Sequence, residues 1–211
     1  MAEATWKRAR DDEQRHQRRQ AILEIASELI ARESFPDINM AEVARRAGLA
    51  KGTLYLYFRT KEALFLTLTE TTLDAWFERV EREMTGRMTQ GEAARILSAA
   101  IVATPLLPRL LGILHTVLEH NIGDAHVLKF KRFLGTHVVG FGKQLDAALR
   151  WPRGSGAAAL VRVHAVVIGL HHMASPSPAV RRALKHDDLA IFRIDFAQSL
   201  GDMLPRILRP L

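Results

Sequence analysis

The stretch from Ile38 to Lys61, INMAEVARRAGLAKGTLYLYFRTK, predicts two short helices around a glycine turn, with a third helix beginning at its end. Asn39 can cap the first helix through its side-chain oxygen, and Glu42, three residues later, completes a capping-box pattern. Gly48 tolerates the left-handed conformation in which such a helix ends. The pattern therefore predicts a helix-turn-helix.

Basic residues without acidic neighbours fill the same stretch. Between Val43 and Lys61 the chain contains no Asp or Glu. Its basic residues there are Arg45, Arg46, Lys51, Arg59 and Lys61. A small basic helix after a tight turn is what entry into a DNA major groove requires. The charges alone also fit a plain helical hairpin that only presents a solvated face.

The second of the two helices is the predicted recognition helix, from about Ala50 to Phe58. We expect Lys51 and Gly52, in its first turn, to lie at the base edges, and Lys61 to meet a phosphate. Tyrosine hydroxyls can also bond phosphates without reading sequence. The predicted DNA contacts are Met40, Ala41, Lys51, Gly52, Thr53, Tyr55, Tyr57 and Lys61.

With these residues the sequence resembles the TetR family of bacterial transcriptional regulators. The resemblance lies in Ala44, Ala47–Leu49, Gly52–Tyr55, Tyr57–Phe58 and Lys61–Glu62. One departure is Ala50, where the family commonly has a Ser or Thr cap. The resemblance implies a ligand-responsive DNA-binding regulator, most often a repressor, which a small molecule releases from a palindromic operator.

Composition narrows the possible partners and compartments. The 211 residues are 48% hydrophobic, which supports a sizeable core, and the formal net charge of +7 favours polyanionic partners. The absence of cysteine excludes disulfides and fits a reducing cytoplasm. The polar N-terminus lacks the apolar segment of a signal peptide, and no apolar run reads as a membrane span. We therefore expect a cytoplasmic protein with no membrane partner.

Helical periodicity runs along almost the whole chain and predicts an all-α fold. Residues 1–12 are expected to form a flexible basic arm. Residues 13–60 are expected to form a three-helix helix-turn-helix DNA-binding domain. A long helix from Lys61 then leads into a helical regulatory and dimerisation domain, residues 61–211.

The last two long helices predict a homodimer. Residues 157–173 are apolar nearly all round, and a helix beginning at Asp187 or Asp188 carries an apolar stripe. Two such helices per subunit can form a four-helix interface, and the resemblance implies pairing through the C-terminal helices. Alternatively, both helices complete the core of one subunit.

The regulatory domain is also expected to hold a largely apolar small-molecule effector. The predicted lining residues are Trp76, Leu111, Leu114, Phe130, Phe133, His137, Phe141 and Leu170. His137 and His164 could form hydrogen bonds with the bound molecule. Glycines in the long helix before residue 150 could leave volume for it. The same residues also fit a tightly packed core.

Searches for catalytic and metal motifs give no candidate. The nine histidines include no HExxH pair, so no metal site or cofactor is expected. The sequence contains no GxSxG or phosphate-cradling glycine loop, so no enzyme activity is expected. The alternative that the residues leave open is a helical small-molecule-binding protein or enzyme without operator binding.

Overall fold

The computed structural model describes the backbone of residues 2–210 and the side chains of residues 12–210. Every regular element in this range is helical, which confirms the all-α prediction. The first four helices are α1 (Ala2–Arg32), α2 (Met40–Arg46), α3 (Lys51–Tyr57) and α4 (Lys61–Glu83). The next four are α5 (Gln90–Val102), α6 (Leu106–Ile113), α7 (Asp124–Leu149) and α8 (Ser155–Ala174). The last two are α9 (Pro178–Ala183) and α10 (Phe196–Ile207).

The turn between α2 and α3 forms as the sequence predicts. The Asn39 side chain accepts a hydrogen bond from the Glu42 amide at 2.9 Å. Gly48 adopts a φ of +63°, and the Leu49 amide donates to the Ala44 carbonyl at 2.9 Å. Ala50 makes no side-chain cap, so the first turn of α3 lacks that bond. Local chemistry therefore sets the helix-turn-helix.

Helix α1 begins earlier than the sequence predicts. It is continuous from Ala2, whereas residues 1–12 were expected to form a flexible arm. Met1 and the side chains of residues 2–11 lie outside the described part, so a role of this segment in DNA binding stays a prediction. The second half of α1 buries Ile22, Ala26 and Leu29 against α4 and the helix-turn-helix.

Helix α4 joins the two halves of the molecule. Thr60 caps it by accepting a hydrogen bond from the Ala63 amide at 3.0 Å, and the domain boundary between residues 60 and 61 stays a prediction. Its first turns bury Leu64 and Phe65 among the DNA-binding helices, and its later turns bury Trp76 and Phe77 in the regulatory domain. The same helix therefore belongs to both cores.

Helices α5 and α6 form a bent pair. Thr89 and Glu92 make the predicted capping box at the start of α5. After the break at Thr104–Pro105, the axis turns by 83° into α6. Directly after α6, residues Leu114–Leu118 wind as a π-helical segment. Such segments are rare and occur frequently at functional sites.

Helices α7 and α8 make a close backbone contact near the loop that joins them. A Cβ atom added to Gly142 would lie 2.6 Å from the Ala157 N atom, and one added to Gly156 would collide with the Gly142 carbonyl oxygen. The Asp146 carboxylate holds the loop by accepting from the Gly154 and Gly156 amides at 2.7 and 2.6 Å. Only these small residues permit such an approach.

The C-terminal region differs from the sequence prediction. The expected helix from Asp187 or Asp188 is instead a short 3-10 helix, Asp187–Phe192, and α10 begins only after Asp195. The Asp195 carboxylate caps α10 by accepting from the Gln198 amide at 2.8 Å. The Arg193 guanidinium donates to the carbonyl oxygens of Leu184 and His186, which lie just before the 3-10 helix. These hydrogen bonds hold the chain folded back on itself before α10 begins.

Helix α8 is long and apolar enough to cross a membrane by length and composition alone, a test that the core helix of a soluble protein also passes. It packs against α6, α7 and α10. Some of its apolar side chains remain uncovered in the single chain, among them Val161, 61% exposed, and Met173, 55% exposed. These side chains are available for a further packing partner.

We predict that Gly142→Ala destabilises the protein by about 1–3 kcal/mol, because the added methyl group would overlap the α8 backbone. Gly140→Ala, two residues away on the exposed side of α7 with no heavy atom within 4 Å of the new Cβ, is the matched control. It should stabilise α7 by about 0.5–1 kcal/mol. Urea unfolding measures both; equal effects of the two variants would contradict the close contact.

Candidate nucleic-acid interface and effector cavity

A shallow groove lies between the start of α2, the outer face of α3 and the start of α4. It is open to solvent and has a volume of about 520 Å³. It contains the predicted contacts Met40, Ala41, Lys51, Tyr55 and Lys61. Its wall also includes Pro36, Ile38, Asn39, Arg59 and Thr60. Arg59 belongs to the basic stretch but was absent from the predicted contacts.

Three of the five basic side chains in this region already have partners. Arg45 forms an ion pair with Glu42 at 2.7 Å, and Arg46 forms one with Glu28 at 2.6 Å. Arg45 also holds the pKa of the Glu42 carboxyl below its usual value, chiefly through their hydrogen bond. The local positive charge is therefore partly neutralised within the protein, and Lys51 and Arg59 remain exposed in the groove wall.

Lys61 is the third basic residue with partners. Its Nζ donates to the Phe35 and Ile38 carbonyl oxygens, each at 2.8 Å, and lies 3.4 Å from the Pro36 oxygen. The same ammonium group lies 4.3 Å from the centroid of the Phe35 ring. Its donors are directed at the loop before α2. The geometry thus does not support the expected phosphate contact through the Lys61 side chain and gives the residue a positioning role.

The other predicted DNA contacts divide between two places. Gly52 and Thr53 lie in the first turn of α3, and a Cβ on Gly52 would meet nothing within 4 Å. Tyr57 lies away from the groove, beside Arg15, His16 and Arg19 of α1. Met40 is buried, so little of its side chain is available to a ligand. The DNA contacts of Tyr57 and Met40 therefore stay predictions.

A second concave feature is a cavity of about 230 Å³ inside the regulatory domain. Helices α4, α5, α6, α7 and α8 all contribute to its wall. The lining residues are Leu73, Trp76, Phe77, Ile101, Leu107, Leu111, His115, Leu134, Val138, Leu160, Val161, Val163, His164 and Val167. Apart from the two histidines, His115 and His164, the wall residues are apolar or aromatic.

Only two of the eight predicted pocket residues, Trp76 and Leu111, line this cavity. The prediction is corrected for the others, which are Leu114, Phe130, Phe133, His137, Phe141 and Leu170. Phe130 and Phe141 are fully buried within the core, and the Phe141 ring packs against Phe77 of α4 with the centroids 6.0 Å apart. A large side chain on the inward face of a helix can either fill the core or border a cavity, and the sequence does not distinguish the two.

His137 has a structural role in place of the expected contact with a bound molecule. Its Nε2 lies 2.8 Å from an Asp74 carboxylate oxygen, and its ring stacks on Phe77 with the centroids 4.9 Å apart. Phe133 completes this small cluster, 4.7 Å from the His137 ring centroid. These contacts join α7 to α4 beside the cavity.

Two histidines form the polar part of the cavity wall. The Nε2 atoms of His115 and His164 lie 3.0 Å apart, and His115 Nδ1 lies 3.3 Å from a Glu119 carboxylate oxygen. Lys131 pairs with the same carboxylate at 2.8 Å. Burial, and then the nearby His115 and Lys131, lower the pKa of His164 to about 4, so its ring is neutral near pH 7.

The Glu119 carboxyl keeps its negative charge. Burial opposes its ionisation, but hydrogen bonds from Lys131 and His115 hold its pKa below the usual value. His115 lies in the π-helical segment after α6, and its ring contacts His164 of α8. Among residues 12–210, no group of three or more His, Asp or Glu side chains is arranged to hold a metal ion.

The cavity and the groove share α4 and have a second connection through α6. The Arg109 guanidinium of α6 donates to the Ile30 carbonyl near the end of α1 at 3.2 Å. Arg19 of α1 donates to the Thr67 hydroxyl of α4 at 3.3 Å and lies 4.6 Å from the centroid of the Phe58 ring. These contacts join α1 to both α4 and α6, two of the helices that line the cavity.

Two family models match the chain. The one for bacterial regulatory proteins of the tetR family matches residues 22–68, and the tetracyclin repressor-like C-terminal domain matches residues 70–209. The chain belongs to the TetR family. The first match contains the whole helix-turn-helix, and the second contains the cavity. The TetR family is one of transcriptional regulators rather than enzymes.

Similar proteins agree with this assignment. The fatty acid metabolism regulator protein of Bacillus subtilis is 30% identical over 111 residues, 53% of this chain and 52% of that protein. The chain spans about half or less of the length of the first curated relatives it matches. The family assignment therefore rests on the two matched domains.

Solved structures show the same fold at low identity. FadR from Bacillus subtilis in complex with stearoyl-CoA has a TM-score of 0.52 at 20% identity, over 88% of this chain and 96% of that one. The multidrug binding protein EbrR complexed with imidazole has a TM-score of 0.59 at 17% identity, over 92% and 96%. At these identities the likeness concerns the fold alone.

Lys61→Met tests the positioning role of this TetR-family lysine. We expect the free energy of unfolding to fall by about 1–3 kcal/mol, because the loop carbonyls lose a charged donor. Lys51→Met removes the same charge from an exposed site and should change it by less than about 0.5 kcal/mol. Urea unfolding compares them. If Lys61→Met leaves the stability unchanged and lowers the slope of log binding constant for DNA against log salt concentration by about one, Lys61 contacts a phosphate instead.

Two half-buried histidines of α8, His164 and His171, predict an acid-sensitive fold. Burial is the main reason why the pKa values of His164 and His171 lie at about 4, below the ordinary 6.5. The unfolded chain therefore binds more protons between these values, and stability is full above about pH 6.5 and falls as the pH drops toward 4. Thermal unfolding from pH 7.5 to 4 should show a flatter dependence for His164→Gln, and the flattest for the variant that also carries His171→Gln. An unchanged profile would contradict the burial of these rings.

Proposed function

We propose that this protein is a dimeric transcriptional regulator that binds a palindromic operator and releases it when a small, largely apolar molecule fills the cavity. The sharing of α4 between the groove and the cavity is the observation that carries this proposal. A ligand that binds two arrangements of α4 differently shifts the balance between them. Repression is the more frequent mode in the TetR family and is the sign of regulation proposed here.

The groove supports contact with duplex DNA. Helix α3 presents Lys51 and Gly52 in its exposed first turn, where a recognition helix meets base edges. Lys51 can donate to the N7 and O6 acceptors of guanine, and Gly52 lets the backbone approach the groove floor. Tyr55 and Arg59 line the same groove as Lys51, and their hydroxyl and guanidinium groups would supply phosphate contacts.

Dimerisation supplies a second helix-turn-helix, which binds the second half-site of the operator. A single helix-turn-helix binds few phosphates, so two copies are needed for useful affinity. Helices α8 and α10 pack together in the single chain and leave apolar side chains such as Val161 and Met173 exposed. Pairing of these helices with those of a second copy would cover that surface and fix the separation of the two recognition helices. The proposed site of action is the cytoplasm, where the chromosome is accessible.

Selection of binding sites from random DNA tests the function directly. The wild-type protein should select a palindrome. Lys51→Ala should relax the preference at one base pair per half-site, at a cost of about 1–3 kcal/mol. Lys143→Ala removes an equal charge from the exposed face of α7 and should select the wild-type motif.

Gly52→Val provides a stricter test of the docking face. Nothing in the free protein lies within 4 Å of the added Cβ, so the variant should fold. On DNA the new side chain would hold α3 away from the bases, and operator binding should be lost. A folded Gly52→Val protein with full operator affinity would overturn the proposed docking, and a wild-type protein that enriches no sequence would overturn the function.

A further inference from the structure

The recognition helix α3 carries a large apolar side chain that the rest of the protein does not cover. Leu56 is 77% exposed, whereas Leu54 and Phe58, on the inner face, are buried. Within residues 12–60, the other large hydrophobic side chain that is exposed is Tyr55, at 38%. Contact of an apolar side chain with water is unfavourable, so a partner that covers it gains binding free energy. Leu56 therefore has apolar surface available to a partner.

Helical spacing places Leu56 on the proposed reading face of α3. Residues four positions apart lie on the same face of a helix, so Leu56 follows Gly52 one turn later. A Cβ on Gly52 would meet no heavy atom within 4 Å, which shows that this face is open. Tyr55 follows Lys51 in the same way, and both line the groove. Leu56 therefore extends the exposed surface that begins with Gly52.

Basic side chains lie on both sides of Leu56. The residues that border it in a shallow depression against α1 are Asp12, Arg15, His16, Arg19 and Tyr57. On the other side of α3, Lys51 and Arg59 are exposed in the groove wall. These cations would attract the phosphates that flank the bases of duplex DNA. The charge pattern thus favours DNA over an apolar protein surface as the partner that covers Leu56.

The major groove of DNA offers a leucine side chain one kind of apolar group, the C5-methyl group of thymine. The other groups that distinguish the base pairs there are hydrogen-bond donors and acceptors, with which leucine cannot pair. Five residues separate Lys51 from Leu56, a rise of about 7.5 Å along the helix. This rise is close to two base-pair steps of about 3.4 Å each. The thymine is therefore expected about two base pairs from the pair that Lys51 reads.

We propose that Leu56 determines the preference for one thymine in each half-site by packing on its C5-methyl group. The inference rests on the proposed function, because it adds a base contact to the recognition helix. Leu56 reads an apolar group, whereas Lys51 reads polar ones. Leu56 is absent from the DNA contacts that the sequence predicts, and the folded chain reveals it through its exposure.

Replacement of thymidine by 2′-deoxyuridine removes only the methyl group and tests this contact. On the operator that the wild-type protein selects, each thymine of one half-site is replaced in turn and the affinity is measured. We expect one position at which the wild-type protein binds about three- to fivefold more weakly, since burial of one methyl group contributes about 0.8 kcal/mol. At that position Leu56→Ala should bind the thymine and uracil operators with equal affinity.

Two further variants serve as controls. Leu56→Met keeps a large apolar side chain and should retain the preference for thymine over uracil. Leu128→Ala removes a half-exposed leucine from α7 in the regulatory domain and should retain that preference in full. Because Leu56 is exposed, neither of its substitutions should change the free energy of unfolding by more than about 0.5 kcal/mol, which urea unfolding without DNA checks.

The inference is overturned if no change from thymine to uracil weakens binding by the wild-type protein, or if Leu56→Ala retains the full loss at that position. Equal weakening of all sequences by Leu56→Ala would place Leu56 against the sugar–phosphate backbone and would also reject the reading of a base. Each of these results leaves operator selection intact, so the proposed function would stand. A wild-type protein that enriches no sequence would reject both.

Discussion

Helix α4 has to complete two cores at once, and the rest of the molecule depends on this constraint. Its first turns bury Leu64 and Phe65 with α1 and the helix-turn-helix, and its later turns bury Trp76 and Phe77 beside the cavity. Because interiors are close-packed, neither set of side chains can shift without moving its neighbours. A rigid helix with both ends embedded transmits a displacement that a flexible linker would absorb.

Much of the positive charge of the helix-turn-helix is used to hold the protein together. Most of the basic side chains in the helix-turn-helix are paired inside the protein, and Lys61 secures the loop before α2. Lys51 and Arg59 remain exposed on the groove wall, and the proposed DNA contacts rest chiefly on them. A count of charges in the sequence therefore overstates the charge that is free to meet phosphates. Such a count also does not show that Lys61 stabilises the loop before α2.

The sequence predicted the DNA-binding half well because its determinants are local. The Asn39 cap and the Gly48 turn each depend on residues within a few positions of one another. The cavity depends on five helices that meet only in the folded chain, so its walls could not be listed from periodicity. Phe130, Phe141 and Trp76 are all buried, but only Trp76 lines the cavity. Similarly, the bend held by Arg193 comes from carbonyls whose positions no local pattern encodes.

The contact at Gly142 and Gly156 has a consequence for how this protein can change over evolutionary time. It fixes one end of the α7–α8 pair by backbone contact, which leaves no side chain there to vary. The cavity lies farther along the same two helices, where Leu134, Val138 and Val161 form part of the wall. Substitutions among those aliphatic residues can enlarge or reshape the binding space while the pinned end preserves the alignment of the helices. The Gly142–Gly156 contact therefore restricts substitution at one end of the α7–α8 pair, while the cavity wall can accept substitutions that change which molecule binds.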